Sequence, residues 1–207
     1  PGILVSASAQ LWPEIREFER ALVTVMNGYI HPLMDRYYLR LGQGLQTEGI
    51  AAPLDIATST GGVIGVAIAR ERPVETLLSG PAAGVAAAAR FASAAGVAKA
   101  ISFDMGGTSS DIAVILDGQP ELAAETSIED HPLILPVIAV SAIGAGGGST
   151  GWVDPQGLLK VGPGSAGADP GPACYGRGGT DATVTDAWLA LGCIHADHFL
   201  GGRMVLD

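Results

Sequence analysis

The chain has 207 residues, 48% of them hydrophobic and 15% charged, which is enough apolar matter for a buried core and argues against disorder. Lys and Arg number 11 against 21 Asp and Glu, a formal net charge of -10, so nucleic acid and anionic lipid are disfavoured partners. No apolar run reaches the roughly 18–20 residues that span a bilayer, Pro1-Gly2-Ile3 lacks the basic flank of a secretory signal, and a cytoplasmic protein is expected.

In chain order, Ile3 to Ser6 reads as a short strand. From Pro13 onward Ile15, Phe18, Leu22, Val25, Met26, Tyr29, Ile30, Leu33, Met34, Tyr37, Leu41 and Leu45 recur at helical spacing, and this stripe is expected to be packing core. Pro13 suits a first helical turn, and Pro32 predicts a kink or break near His31. Pro53 to Ala57 reads as a strand entering the hydroxyl-rich turn "TSTGG", Thr58 to Gly62. A helix from about Gly65 to Arg70 stops before Pro73, and Ser79-Gly80-Pro81 opens an alanine-rich helix ending near Gly96.

Ala100 to Phe103 and Ile112 to Leu116 read as strands, and Asp117-Gly118 predicts a hairpin turn into a third strand at Glu121 to Ala124. Leu133 to Val140 adds a strand. Beyond it a Gly/Pro-rich stretch carries a hairpin at Asp154-Pro155-Gln156-Gly157, and Thr183 to Leu191 can start a helix. The 30 glycines crowd between Gly144 and Gly179, which marks backbone shaped for a purpose. The 2 cysteines, Cys174 and Cys193, make neither a disulfide framework nor a Cys-rich zinc site.

The chemistry-bearing stretch is Asp104-Met105-Gly106-Gly107-Thr108-Ser109-Ser110-Asp111, between two strands. Its glycines allow a tight turn and close approach of a ligand. Their amides, with the hydroxyls of Thr108 and Ser109, can ring a phosphate without any lysine. Asp104 and Asp111 are the candidate catalytic carboxylates, and Asp104, at a strand end, is also the candidate outer-shell ligand for Mg2+. The pattern is neither a Walker loop nor a Rossmann fingerprint, since no Gly-Lys-Ser/Thr and no helix follow. A plain glycine hairpin is the competing reading.

Together with "TLLSGPAAGVAAAA" and "IGAGGGSTGWVDPQGLLKVGPGSAGADPGPACYGRGGTDATVTDAWLALG", the motif "SFDMGGTSSDIAVILDG" resembles the hydantoinase A/oxoprolinase family. "EIREFERALVTVMNGYIHPLMDRYY" extends the likeness over nearly the whole chain. The resemblance implies an α/β fold of the actin-like, sugar-kinase-like ATPase type, built on an RNase H-like core, here as a fragment with a mixed sheet and flanking helices. It implies ATP and Mg2+ as cofactors and matches Asp104, Gly106, Gly107, Thr108 and Ser109 to the family's second phosphate loop. The first phosphate loop lies in a region this chain lacks. Residues 1–207 are therefore expected to be the central to C-terminal part of the ATPase domain, inactive in isolation, and the missing initiator Met suggests a piece of a longer polypeptide.

The implied reaction is ATP-dependent opening of a cyclic amide, with a second hydantoinase B-type subunit or a fused domain as partner. Ketone carboxylation by the same ATPase, and a noncatalytic actin-like module, are alternatives. Gly146, Gly147 and Gly148 of "GAGGGS" are candidate nucleotide contacts, though glycines there can serve bends alone. Asp169, Cys174, Arg177 and Asp186, with Tyr175 among them, are candidate cleft residues. Cys174 lacks a neighbouring base in the sequence and is read as a contact or structural residue ahead of a nucleophile. His195-x-x-His198 with Asp197 could ligate metal but reads first as a solvated segment. Where relatives resemble "DVHTIGAGGG", this chain has Ala139-Val140-Ser141-Ala142-Ile143-Gly144, and "TSTGG" stands where relatives carry an Asn-bearing turn, so hydantoin itself is the less secure substrate.

Overall fold

The computed structural model describes residues 5–128 and 131–207. In chain order the elements are α1 (Ser8–Leu11), α2 (Glu17–Thr47), β1 (Asp55–Ala57), β2 (Val63–Gly65), α3 (Val66–Glu71), a 3-10 turn (Pro73–Thr76), α4 (Ser79–Ala94), β3 (Lys99–Met105), β4 (Ser110–Leu116), β5 (Gln119–Pro120), β6 (Leu122–Ala123), β7 (Thr126–Ile128), β8 (His131–Leu133), β9 (Val137–Ile138), β10 (Ser141–Ile143), β11 (Ser149–Val153), β12 (Leu159–Ser165), a 3-10 turn (Ala173–Tyr175), α5 (Val184–Ala190) and a last 3-10 segment (Ala196–Gly202). They divide into two compact units, residues 1–100 with 113–139, and residues 101–112 with 140–207. The fold class is α/β, and the strand pairs with a defined register are antiparallel.

In the first unit, α2 runs unbroken for 31 residues through Pro32. Of the kink or break expected near His31, the break does not occur. The backbone bond lost at a proline costs about 3 kcal/mol, and packing on both sides of it, at Val23 and Asn27 before and Tyr38 after, holds the helix together. Pro13 lies in the link between α1 and α2, and α2 begins instead at Glu17, with Glu17 and Glu19 in the first turn where the helix dipole favours acids.

The stripe expected as core divides. Val23, Val74 and Leu135 form a buried cluster with Leu11, Trp12, Met26, Ile30 and Leu77 packed on it. Phe18, Val25, Tyr29, Leu33 and Tyr37 are exposed, Tyr29 by 83%. The Ile3 to Ser6 strand candidate lies partly outside the described residues, and Val5 and Ser6 are irregular.

Alanine lets α4 pack closely: Ala82, Val85, Ala89 and Ala92, spaced three and four apart, are its buried face. The Asp117-Gly118 turn takes positive φ at both residues, 52° and 73°, and joins β4 to β5 as a tight hairpin. The expected third strand is shared out. Gln119–Pro120 pairs with β4, and Leu122–Ala123 crosses to β9. The Leu133 to Val140 strand likewise resolves into β8 and β9.

In the second unit, β10 pairs with the first half of β4, Ala142 facing Asp111. The Gly/Pro-rich stretch forms the β11–β12 hairpin, whose turn is held by Asp154 Oδ1 accepting the amides of Gln156 at 3.0 Å and Leu158 at 2.8 Å.

Asn27 shows how the first unit is tied. It is fully buried, donates Nδ2–H to Ser6 Oγ and to Glu71 O, and accepts the Val74 amide. Asn27→Ala leaves the Val74 N–H and the Glu71 carbonyl without that partner, and a loss of about 2–3 kcal/mol is expected, read as a lower urea midpoint with an unchanged slope.

Candidate functional site

The loop from Asp104 to Asp111 closes as a tight turn between β3 and β4, with the Gly106 amide donating to Ser109 O at 2.8 Å. Asp104 stands near the end of β3 and Asp111 near the start of β4, on neighbouring strands. Asp104 is exposed and Asp111 half-buried.

The Gly144–Ser149 run clasps this turn from one side. Gly147 N–H donates to Gly106 O at 2.9 Å, Gly148 N–H to Gly107 O at 2.6 Å, and Ser149 Oγ–H to Thr108 O at 3.3 Å. In a trans peptide the carbonyl and the following N–H point in opposite directions. Anchoring the carbonyls of Gly106, Gly107 and Thr108 therefore turns the amides of Gly107, Thr108 and Ser109 toward the opposite side. Those three amides, and the hydroxyls of Thr108 and Ser109, make no hydrogen bond among the described residues. Successive unpaired amides of this kind form an anion-binding concavity.

The glycines have distinct reasons. At Gly146 an added Cβ would lie 2.5 Å from Thr108 N and 2.6 Å from Ser109 N, so only glycine permits the clasp. At Gly148 it would meet Gly107 O at 3.0 Å. At Gly107 it would meet nothing within 4 Å, and φ there is not in the left-handed region, so the fold itself makes no demand for glycine.

Gly146, Gly147 and Gly148, expected as nucleotide contacts, have their amides engaged within the unit: Gly146 N–H donates to Ser149 Oγ at 2.8 Å, and the other two hold the turn. Their position is that of a buttress. Two buried hydroxyls complete it. Ser110 Oγ–H donates to Ala145 O at 2.6 Å, and Thr185 Oγ1–H to Gly147 O at 2.8 Å. Neither Ser110, Ser149 nor Thr185 was singled out from sequence. Their hydroxyls stand in glycine-rich or helix-start contexts, which carry no long-range signal.

The remaining candidates do not converge on this loop as one cluster. Asp186 sits in the first turn of α5 and Thr183 caps it, the two forming a capping box. Asp186 Oδ2 accepts Thr183 N–H at 2.7 Å and Thr183 Oγ1–H at 2.8 Å, while Oδ1 accepts Cys174 N–H at 2.7 Å. Burial pushes the Asp186 pKa up, but the hydrogen bonds from Cys174 and Thr183 outweigh it and bring the carboxyl down to about 2. Cys174 is buried, and burial together with the neighbouring Asp186 carboxylate pushes its thiol up to about 12. A thiol so held stays protonated near neutral pH, which is the behaviour of a structural residue.

Cys174 and Asp186 do line a cleft of about 550 Å³ with Thr180, Ala182 and Leu189. Asp169 and Arg177 are exposed outside its lining. Tyr175 packs on Phe199 with ring centroids 5.5 Å apart. The His195 and His198 rings meet edge-on at 5.8 Å, and no cluster of three or more His, Cys, Asp or Glu able to hold a metal occurs among the described residues.

The family model described as Hydantoinase/oxoprolinase matches residues 20–207. Caprolactamase subunit alpha of Pseudomonas jessenii is 40% identical over 207 residues, covering 100% of this chain and 30% of that protein. The crystal structure of an ATP-dependent caprolactamase from Pseudomonas jessenii superposes with a TM-score of 0.84 at 40% identity, over 100% of this chain and 30% of that one. A nucleotide-free acetone carboxylase structure gives a TM-score of 0.78 at 30% identity, over 97% of this chain and 28% of that one. The chain thus spans less than a third of these relatives.

Two outcomes are expected from this geometry. Gly146→Ala drives a methyl group into the Thr108–Ser109 backbone; overpacking of this kind costs roughly 1–3 kcal/mol, measurable as a fall in Tm together with loss of amide protection at Gly147 and Gly148. Asp186 has a pKa depressed from 3.8 to about 2, so its stabilisation is present above about pH 4 and lost as pH falls toward 2. Asp186→Asn should remove about 2 kcal/mol at pH 7 and flatten the acid limb of stability between pH 4 and 2.

Proposed function

The chain belongs to the hydantoinase/oxoprolinase family, and from that premise we propose that the whole protein is an ATP-dependent hydrolase of cyclic amides to which this chain contributes one phosphate loop. The observation that carries the reading is the trio of outward amides at Gly107, Thr108 and Ser109, beside two free hydroxyls and a glycine the fold does not require. An anionic phosphate in a protein of net charge -10 needs such a local, lysine-free cradle.

In this reading the three amides and the hydroxyls of Thr108 and Ser109 hold the transferring phosphate, and positioning with charge neutralisation does most of the catalytic work. Asp104, exposed near the end of β3, is the group that would orient a hydrated Mg2+, with Asp111 on the neighbouring strand. When bound, Mg2+ neutralises charge on the phosphate oxygens.

Transfer of the γ-phosphoryl group from ATP to the amide oxygen makes that oxygen a leaving group. Water then adds at the carbon, the C–N bond breaks with the proton passing to the ring nitrogen to leave an acyl phosphate, and a second water hydrolyses that acyl phosphate to the carboxylate and free phosphate. The remaining chemistry belongs to chain outside residues 1–207 and to a second subunit, in keeping with a relative that is itself named as a subunit. The chain is the central to C-terminal part of the ATPase domain. A reducing, cytoplasmic setting fits Cys174 and Cys193, both free. No helix among the described residues is long and apolar enough to cross a membrane.

Ketone carboxylation is the second reading, supported by the acetone carboxylase likeness and by Ser141 and Ala139 at the departures noted above. The higher identity to a lactam-opening relative favours the amide.

The test is Mg2+-dependent ATP hydrolysis by the whole protein with lactams, hydantoins, 5-oxoproline, and ketones with bicarbonate. Stimulation by a cyclic amide is expected, reduced about 100-fold or more in Asp104→Asn. Gly107→Val should lose turnover while Tm stays close to that of the parent. Stimulation by ketone and bicarbonate alone would transfer the assignment to the carboxylase, and flat turnover throughout would leave a noncatalytic nucleotide-binding module.

A further inference from the structure

We propose that the first unit carries a separate binding site for a small oxyanion, a carboxylate or a phosphate, in the cleft between α4, the Thr58–Gly62 turn and the β4–β5 turn, with Arg90 as its charge partner. The cleft has a volume of about 950 Å³, and Thr60, Gly61, Gly62, Arg90, Ser93 and Gln119 supply its polar lining. Among the described residues, no Asp or Glu stands in its lining.

Arg90 is exposed at the wall of the cleft and takes part in none of the ion pairs among the described residues. In an acidic protein, an arginine left without a carboxylate in a concave site has an open fork of donors matched to a planar or tetrahedral oxyanion. Other donors surround it. The side chains of Ser93 and Gln119 make no hydrogen bond among the described residues, and Thr60 Oγ1 meets only Thr58 Oγ1, at 2.9 Å. The turn adds backbone donors: Thr58 N–H and Gly61 N–H are engaged with Gly62 O and Thr58 O, whereas the amides of Thr60 and Gly62 have no partner among the described residues.

Gly62 repeats the pattern found at Gly107. A Cβ there would meet only Thr58 Oγ1 at 3.5 Å and Thr60 Oγ1 at 3.8 Å, ordinary contact distances, and φ is not left-handed. The alanines Ala86 and Ala89 keep the α4 wall low, so a ligand can reach the turn's backbone. A guanidinium, hydroxyls and amides thus border one space, and each can donate to a negatively charged ligand.

This assignment does not depend on the nucleotide reading, and its test keeps the two apart. Inorganic phosphate and glutarate are titrated separately into the ATP-free whole protein by calorimetry, in the parent, in Arg90→Gln and Arg90→Lys, and in Gly107→Val, which disables only the phosphate loop. Saturable binding of at least one probe is expected, persisting in Gly107→Val. It should weaken about 10-fold or more in Arg90→Gln and less in Arg90→Lys, which keeps the charge and loses the fork. The probe that binds identifies phosphate or carboxylate as the ligand group. Binding unchanged in Arg90→Gln, or no saturable binding of either probe, overturns the site. Because Arg90 is exposed and unpaired, Arg90→Gln should keep the parent Tm, so a loss of binding would not reflect unfolding.

Discussion

The second unit depends on a clasp made of backbone alone. Three successive carbonyls, of Gly106, Gly107 and Thr108, are held by donors from one short run, Gly147, Gly148 and Ser149. Peptide planarity converts that anchoring into an orientation: the amides that follow those carbonyls must face away. A row of unpaired amides is thus organised from behind. Preorganised donors of this kind need no rearrangement when charge develops on a transferring group, which is where electrostatic stabilisation gains most. The clasp in turn rests on an absent side chain at Gly146, whose place is taken by the backbone of Thr108 and Ser109.

Behind the clasp, buried polar groups carry the load that apolar packing cannot carry in so glycine-rich a unit. Ser110, Ser149 and Thr185 each bridge two segments through a single hydroxyl. Asp186 does the same with a carboxylate, capping α5 and gathering the amides of Cys174 and Thr183. Its low pKa keeps it charged across the physiological range, and burial together with that charge keeps Cys174 a thiol. Two of the residues expected to line a cleft thus hold each other in place. The first unit relies on a different balance, with an apolar cluster around Val23, Val74 and Leu135 and one satisfied buried amide, Asn27. It also leaves a row of large apolar side chains on α2 in the open, far from what a helix of such periodicity would suggest.

Much was legible in the amino-acid order because it is written in local terms. The alanine-rich α4, the Asp117-Gly118 turn, the Asp154–Gly157 hairpin and the start of α5 follow from propensity and turn chemistry. The family likeness follows from residue identity along several motifs in the same order. Pro32, by contrast, signalled a break by a local rule that tertiary packing on either side overrides. The strand expected at Glu121 to Ala124 divides because Leu122 and Ala123 find their partner in β9, a pairing no local rule contains.

Tertiary structure alone decided what each glycine is for. In the sequence Gly107, Gly146 and Gly148 are equivalent members of two glycine-rich runs. In space, Gly146 and Gly148 face backbone too close for a methyl group, while Gly107 faces open space. Which face of α2 is buried was likewise undetermined by its periodicity, since apolar residues occupy more than one side and only the neighbouring elements select among them. The sequence by itself determined the local conformations and the chemistry available, because both depend on residue type. The direction in which that chemistry points was decided by contacts between segments some 40 residues apart, and a hydrogen bond from Ser149 to Thr108 leaves no mark on the identity of either neighbour in the chain.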